Sequence, residues 1–162
     1  MTPSETIRAA LDDAGLAYTN PGEGQYFVTL PGTKKLATNC WLVVGAHALL
    51  VEAFVCRRPD ENSEEFQRFL LRRNAKTYAV SFALDKAGDV YLVGRLPLSG
   101  VTADEVDRVL GCVLQYADES FNPLLEIGFA GSIQREWEWR KKRGESTANL
   151  QAFARFADPD RA

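Results

Sequence analysis

"NAKTYAVSFALDKAGDVYLVGRLPL", residues Asn74 to Leu98, decides how this chain folds. Tyr78, Val80, Phe82 and Leu84 alternate with Thr77, Ala79, Ser81 and Ala83, the period of a strand with bulky side chains on one sheet face and small ones on the other. "DKAGD" is a turn. Val90 to Leu96 returns as the partner strand, and Pro97, which has no ladder donor, closes it. The stretch holds no nucleophile–base pair and no ligand set, so it reads as scaffold and interface.

Upstream, "LATNCWLVVGAHALLVEAFVCRR" has two apolar, β-branched runs broken by "GAH", a hairpin turning at Gly45 to His47 with both strands largely buried. Pro59 ends the second. "NSEE" then lets Asn62 cap a helix with Glu65 reaching back, Phe66, Phe69 and Leu70 forming its apolar face and Glu64 pairing with Arg68. At the N-terminus "TPSE" is a capping box of Thr2 and Glu5; Ile7, Ala10, Leu11 and Ala14 keep helical spacing until Gly15. "YTNPGEGQYFVTLPGTKK" sets one strand, Tyr26 to Leu30, between turns.

Downstream, Thr102 and Glu105 form a second capping box, and Val106, Val109, Leu110, Val113, Leu114 and Phe121 make the main core helix. Asn122 and Pro123 restart or kink it, and a further helix runs to about Arg143 before Gly144. In the tail, Leu150, Phe153 and Phe156 pack as a short helix or lie along a partner. The order α-β-β-β-α-β-β-α with hairpin connections gives an α+β fold: an antiparallel sheet of about five strands flanked by helices. The expected division is one domain over residues 1–144 and a helical or extended tail over 145–162.

The chain has 162 residues, 46% hydrophobic and 25% charged, an ordinary globular composition able to bury about 70% of the unfolded surface. A net charge of -3 gives no global attraction to nucleic acid or anionic lipid. No basic leader or membrane-length apolar run is present, which with three widely spaced, unpaired-looking cysteines (Cys40, Cys56, Cys112) suggests a cytoplasmic protein. Glu52 and Arg95, each on an apolar strand, are expected to form a cross-strand ion pair.

No catalytic, cofactor or metal residues are assigned. His47 is the sole histidine and sits in a turn; the cysteines lack the close pairs of a zinc site; "PGEG" and "PGTKK" lack phosphate-loop spacing. Only Cys56, followed by Arg57 and Arg58, hints at a reactive thiol. Two basic groups could hold a partner. One is Arg57, Arg58, Arg72 and Arg73, at the entry and exit of the second helix. The other is Trp139, Arg140, Lys141, Lys142 and Arg143 within "QREWEWRKKRG". From Arg135 to Arg143 five positive and two negative residues leave a net +3, and with Trp137 and Trp139 could stack bases and hold phosphates. A solvated helix end with Trp137 turned inward is the alternative reading, and the one we favour.

"TLPGTKKL", "RRPDEN", "FLLRRNAKTYAVSFALDKAGDVYLVGRLPL" and "LLEIGFAGSIQREWEWRKKRG", in this order, resemble the YbjN family in its actinobacterial form, over roughly Gly24 to Phe153. The resemblance implies a fold like that of type III secretion chaperones, commonly dimeric, and a sensory-transduction or stress regulator with no catalytic residues. Chaperone activity does not follow from it, since a fold is not a site. The expectation is a non-enzymatic homodimer that binds a protein or peptide. The alternative is a nucleic-acid-binding regulator using the C-terminal basic helix.

Overall fold

The computed structural model describes residues 1–153. Helix α1 (Pro3–Asp13) begins at a complete capping box: Thr2 Oγ1 accepts from the Glu5 N–H, and Glu5 accepts from the Thr2 N–H at 2.8 Å. It ends where Gly15 takes φ +66°, which only glycine adopts freely. Ile7, Ala10 and Leu11, one turn apart, are its buried face.

Strands β1 (Ala17–Gly22), β2 (Gln25–Pro31), β3 (Ala37–Val44), β4 (Ala48–Cys56), β5 (Val80–Leu84) and β6 (Val90–Pro97) form one antiparallel sheet in the order β1-β2-β3-β4-β6-β5. Six strands stand where about five were expected. The extra one, β1, holds the Asn-Pro-Gly that reads as a turn. At a sheet edge Pro21 needs no ladder donor, and an exposed strand shows no hydrophobic alternation.

Helices α2 (Ser63–Asn74), α3 (Ala103–Gly128) and α4 (Ala130–Arg143) complete the order. Helix α3 lies across β2, β3, β4 and β5 with α1 and α2 beside it. Between them and the sheet are Tyr26, Val28, Leu42, Val51, Phe66, Leu92 and Leu124, each at most 1% exposed. Burying a side chain of this size stabilises by about 1.5–3 kcal/mol.

Several local expectations change. Asn62 sits at the start of α2 in a left-handed conformation with no side-chain cap; its Nδ2 donates instead to the Ile127 carbonyl at 2.9 Å. The backbone N–H groups of Asp60 and Glu61 both reach the Gly128 carbonyl, so α2 starts where α3 ends, held by long-range bonds. Thr102 caps α3 as read, but Glu105 accepts from the Tyr78 hydroxyl at 2.6 Å. Pro123 lies inside an unbroken α3, and the break falls at Phe129. Glu64 and Arg68 do pair, at 2.8 Å. Glu52 stands opposite Val93 and Arg95 opposite Leu50, and no ion pair joins the two among the described residues. After Gly144 a 3₁₀ helix (Ala148–Phe153) buries Phe153 against the core; Phe156 lies outside the described residues.

Candidate protein-binding surface

An antiparallel sheet with one face on a core ordinarily turns polar residues outward. Here apolar side chains share the outward positions with Thr29, Asn39, Glu52, Ser81 and Arg95. By register Phe27, Trp41, Glu52 and Val93 form one row across four strands, with Ser81 ending it on β5; Val43, Leu50 and Arg95 form the next. Phe27 and Trp41 pack at 4.7 Å between centroids, and Phe54 and Tyr91 meet edge to face at 5.5 Å. Trp41 is 38% and Phe54 40% exposed. β3 and β4, expected to be largely buried, alternate instead: Thr38, Cys40, Leu42, Leu49, Val51, Ala53 and Val55 are buried, while the residues between them are half-buried or exposed. A period of two lies in "NCWLVV" and "LLVEAFV", but with both phases apolar it does not say which face is covered.

The edge of β5 offers less to a partner. Asn74 donates to the Phe82 carbonyl at 3.0 Å and accepts its N–H at 2.7 Å, occupying the two Phe82 groups that an added strand would use. Beside it a small cavity of about 210 Å³ is lined by Leu70, Leu71, Phe82 and Leu84.

The basic residues divide among separate surfaces. Arg57 is bound to Asp60 through two bonds, 2.8 and 3.1 Å, and stacks over the Phe129 ring at 4.5 Å. With Ser132 it holds the Asp60 carboxyl well below the usual carboxylate range. Arg58 is exposed, its backbone N–H donating to Asp89. Arg72 and Arg73 line a different groove with Arg68 and Lys76, and Arg73 lies over Phe69 at 5.1 Å. In α4 Trp137 is buried and Trp139 is 47% exposed. Arg140 pairs with Glu136 at 2.6 Å, while Arg143 pairs with Glu145 at 3.0 Å and stacks on Trp139. Lys141 and Lys142 are exposed.

His47 lies exposed in the β3–β4 turn, and no group of three metal-ligating side chains occurs among the described residues. Burial pushes the Cys56 thiol up to about 12 despite the nearby Lys35 charge, and Cys40 likewise to about 12. Both are therefore protonated at neutral pH. Cys112 is only half-buried. Alkylation of the folded chain by iodoacetamide at pH 7.5, followed by peptide mass spectrometry, should label Cys112 first, with Cys40 and Cys56 at least about tenfold slower. Preferential labelling of Cys56 would revive a thiol chemistry there. No described helix is long and apolar enough to cross a membrane.

The family model "YbjN: Putative bacterial sensory transduction regulator" matches residues 3–126. An uncharacterised protein of Mycobacterium tuberculosis is 56% identical over 158 residues, 94% of this chain and 86% of the relative. Two solved structures share the fold at low identity. The Yersinia pestis type III secretion chaperone SycH, in complex with a fragment of YscM2, has a TM-score of 0.52 at 17% identity, covering 72% of this chain and 97% of that one. YbjN from E. coli has a TM-score of 0.51 at 18% identity, covering 72% and 89%. The six-stranded antiparallel sheet with its helices is thus a type III secretion chaperone-like fold, and the chain belongs to the YbjN family.

Proposed function

We propose that the chain is a non-enzymatic, homodimeric protein-binding module of regulatory type, working in the cytoplasm, and that it takes its partner chain on the outward face of the sheet. The observation that carries this reading is the outward row Phe27, Trp41 and Val93, interrupted by Glu52, with Val43, Leu50 and Tyr91 around it and Trp41 38% exposed. The family's regulatory description and the chaperone fold, seen in SycH with a bound protein fragment, support it. So do the free thiols, which suit a reducing compartment. The edge of the Asn74–Leu98 hairpin contributes less in this reading because Asn74 occupies the Phe82 edge groups.

Light scattering over micromolar concentrations should give a dimer. Trp41→Glu combined with Leu50→Glu should weaken it by about thirtyfold or more, the effect of one hot-spot side chain, with unchanged far-UV circular dichroism. A wild-type monomer throughout that range would end the dimer reading. The nucleic-acid alternative draws less support, because Arg140 and Arg143 are already paired and leave Lys141 and Lys142 as the exposed remainder.

A further inference from the structure

Between β2 and β3 the chain turns through Gly32 to Leu36 and is latched to α3. The backbone N–H groups of Thr33, Lys34 and Lys35 all donate to Asp118 Oδ1, at 2.9, 2.8 and 3.0 Å, and Thr33 Oγ1 donates to Oδ2 at 2.8 Å. The turn is so tight that a Cβ at Gly32 would overlap the Lys35 carbonyl oxygen and lie 2.7 Å from Asp118. The latch fixes where Lys35 goes. Its ammonium stands 5.2 Å from the centroid of Phe121 and 6.0 Å from that of Phe54, at an open groove of about 500 Å³. Phe54, Phe121, Leu125, Phe129, Ile133 and Leu150 supply its apolar walls.

The charges at the rim are already balanced except one. Arg57 is bound to Asp60 and Glu136 to Arg140. Lys35 has no ion-pair partner among the described residues. A half-buried ammonium beside the Phe121 and Phe54 rings and the Cys56 thiol is under-solvated, and burial accordingly lowers the Lys35 pKa. One unpaired cation among aromatic and aliphatic walls is the design of a ligand pocket that orients an anion by its head and covers its body.

We propose that this groove binds a small amphiphilic carboxylate, its head group meeting the Lys35 ammonium and its apolar body lying against Phe54, Phe121 and Phe129. The site lies beside the outward sheet face, and its remaining walls, Phe121, Leu125, Phe129, Ile133 and Leu150, are not part of that face. Phe54 alone borders both.

Calorimetric titration of the full chain with dodecanoate and with dodecanol, both below their aggregation concentrations, tests it. Dodecanoate should bind about tenfold more tightly than dodecanol, the ratio that one charge-assisted hydrogen bond sets. Lys35→Met should erase that ratio and Lys35→Arg should keep it. Trp41→Ser, on the outward face away from the groove, should leave it unchanged. Equal affinity for the acid and the alcohol in the wild-type chain would overturn the proposal, as would no dodecanoate binding or an unchanged ratio in Lys35→Met. Binding lost in Trp41→Ser but kept in Lys35→Met would move the ligand to the outward face and equally overturn it.

Discussion

Replacing Gly94 by alanine should lower stability by about 3 kcal/mol, the upper part of the range for overpacking, and Tm by about 6–12 °C for a chain of this size. Gly94 lies mid-strand in β6, opposite Val51 on one side and Val80 on the other. Its φ is ordinary; the limit is space. A Cβ there would overlap the Ala79 carbonyl oxygen and come within 2.9 Å of Val80 Cγ1. The first obstacle is backbone, and no flexible side-chain end can swing aside. Ala79 is itself in the left-handed region at φ +66°, so the chain enters β5 through a strained bend pressed against Gly94. Relief requires β5 to move outward. That pulls Val80 and Phe82, now 1% and 6% exposed, from the core. Gly111→Ala is the control. It lies on the exposed side of α3 with nothing within 4 Å of an added Cβ, and should raise stability by about 0.5–1 kcal/mol through helix propensity. Urea melts of the two variants should therefore move in opposite directions. A Gly94→Ala melt that overlays the wild type would show that β5 is not held where the structure has it.

What the sequence disclosed was what short-range chemistry determines. The Thr2–Glu5 capping box, the Gly144 stop and the β5–β6 hairpin around "DKAGD" are all decided within a few residues of chain, and the structure has them. The missed features depend on distant partners. Asn62 looked like a cap for its own helix, yet its side chain is taken by Ile127 at the end of α3. Asn74 carried no local signal, and its role in occupying the β5 edge arises only when Phe82 is folded back beside it. The two basic clusters illustrate a different limit. Formal charge counts residues, whereas a surface presents only unneutralised ones, and Arg57, Arg140 and Arg143 each have a carboxylate. Lys35, one of two adjacent lysines in a turn, stands beside apolar walls with no ion-pair partner among the described residues. Nothing near it in sequence marks it, because the residue that aims the turn is Asp118, more than eighty positions away.

Asp118→Ala should cost about 2–3 kcal/mol at neutral pH. Each hydrogen bond to a charged acceptor contributes about 1.5–3 kcal/mol, but the four here share one half-exposed carboxylate, so solvent screening and non-additivity reduce their sum. Asp118→Asn keeps one acceptor oxygen and loses the charge, and should fall between the two. The pH dependence separates charge from packing. Burial pushes the Asp118 carboxyl up, but the bonds accepted from Lys35, Thr33 and Lys34 outweigh it, and the group ends below its ordinary value. A depressed carboxyl contributes stability that is present above its unfolded pKa, near 3.9 for aspartate, and is lost as pH falls through the folded value. The difference between wild type and Asp118→Ala should therefore be constant from pH 7 to about pH 5 and shrink at lower pH as the latch is protonated. Chemical denaturation at pH 7 and pH 3 reads this directly. Equal differences at both would mean that the turn is held by shape, and that Lys35 would keep its place without the carboxylate. If the latch does aim Lys35, Asp118→Ala should also blunt the preference for dodecanoate over dodecanol at neutral pH while leaving the alcohol's affinity near its wild-type value. The apolar walls come from β4, α3, α4 and the C-terminal 3₁₀ helix, none of which the turn supports alone.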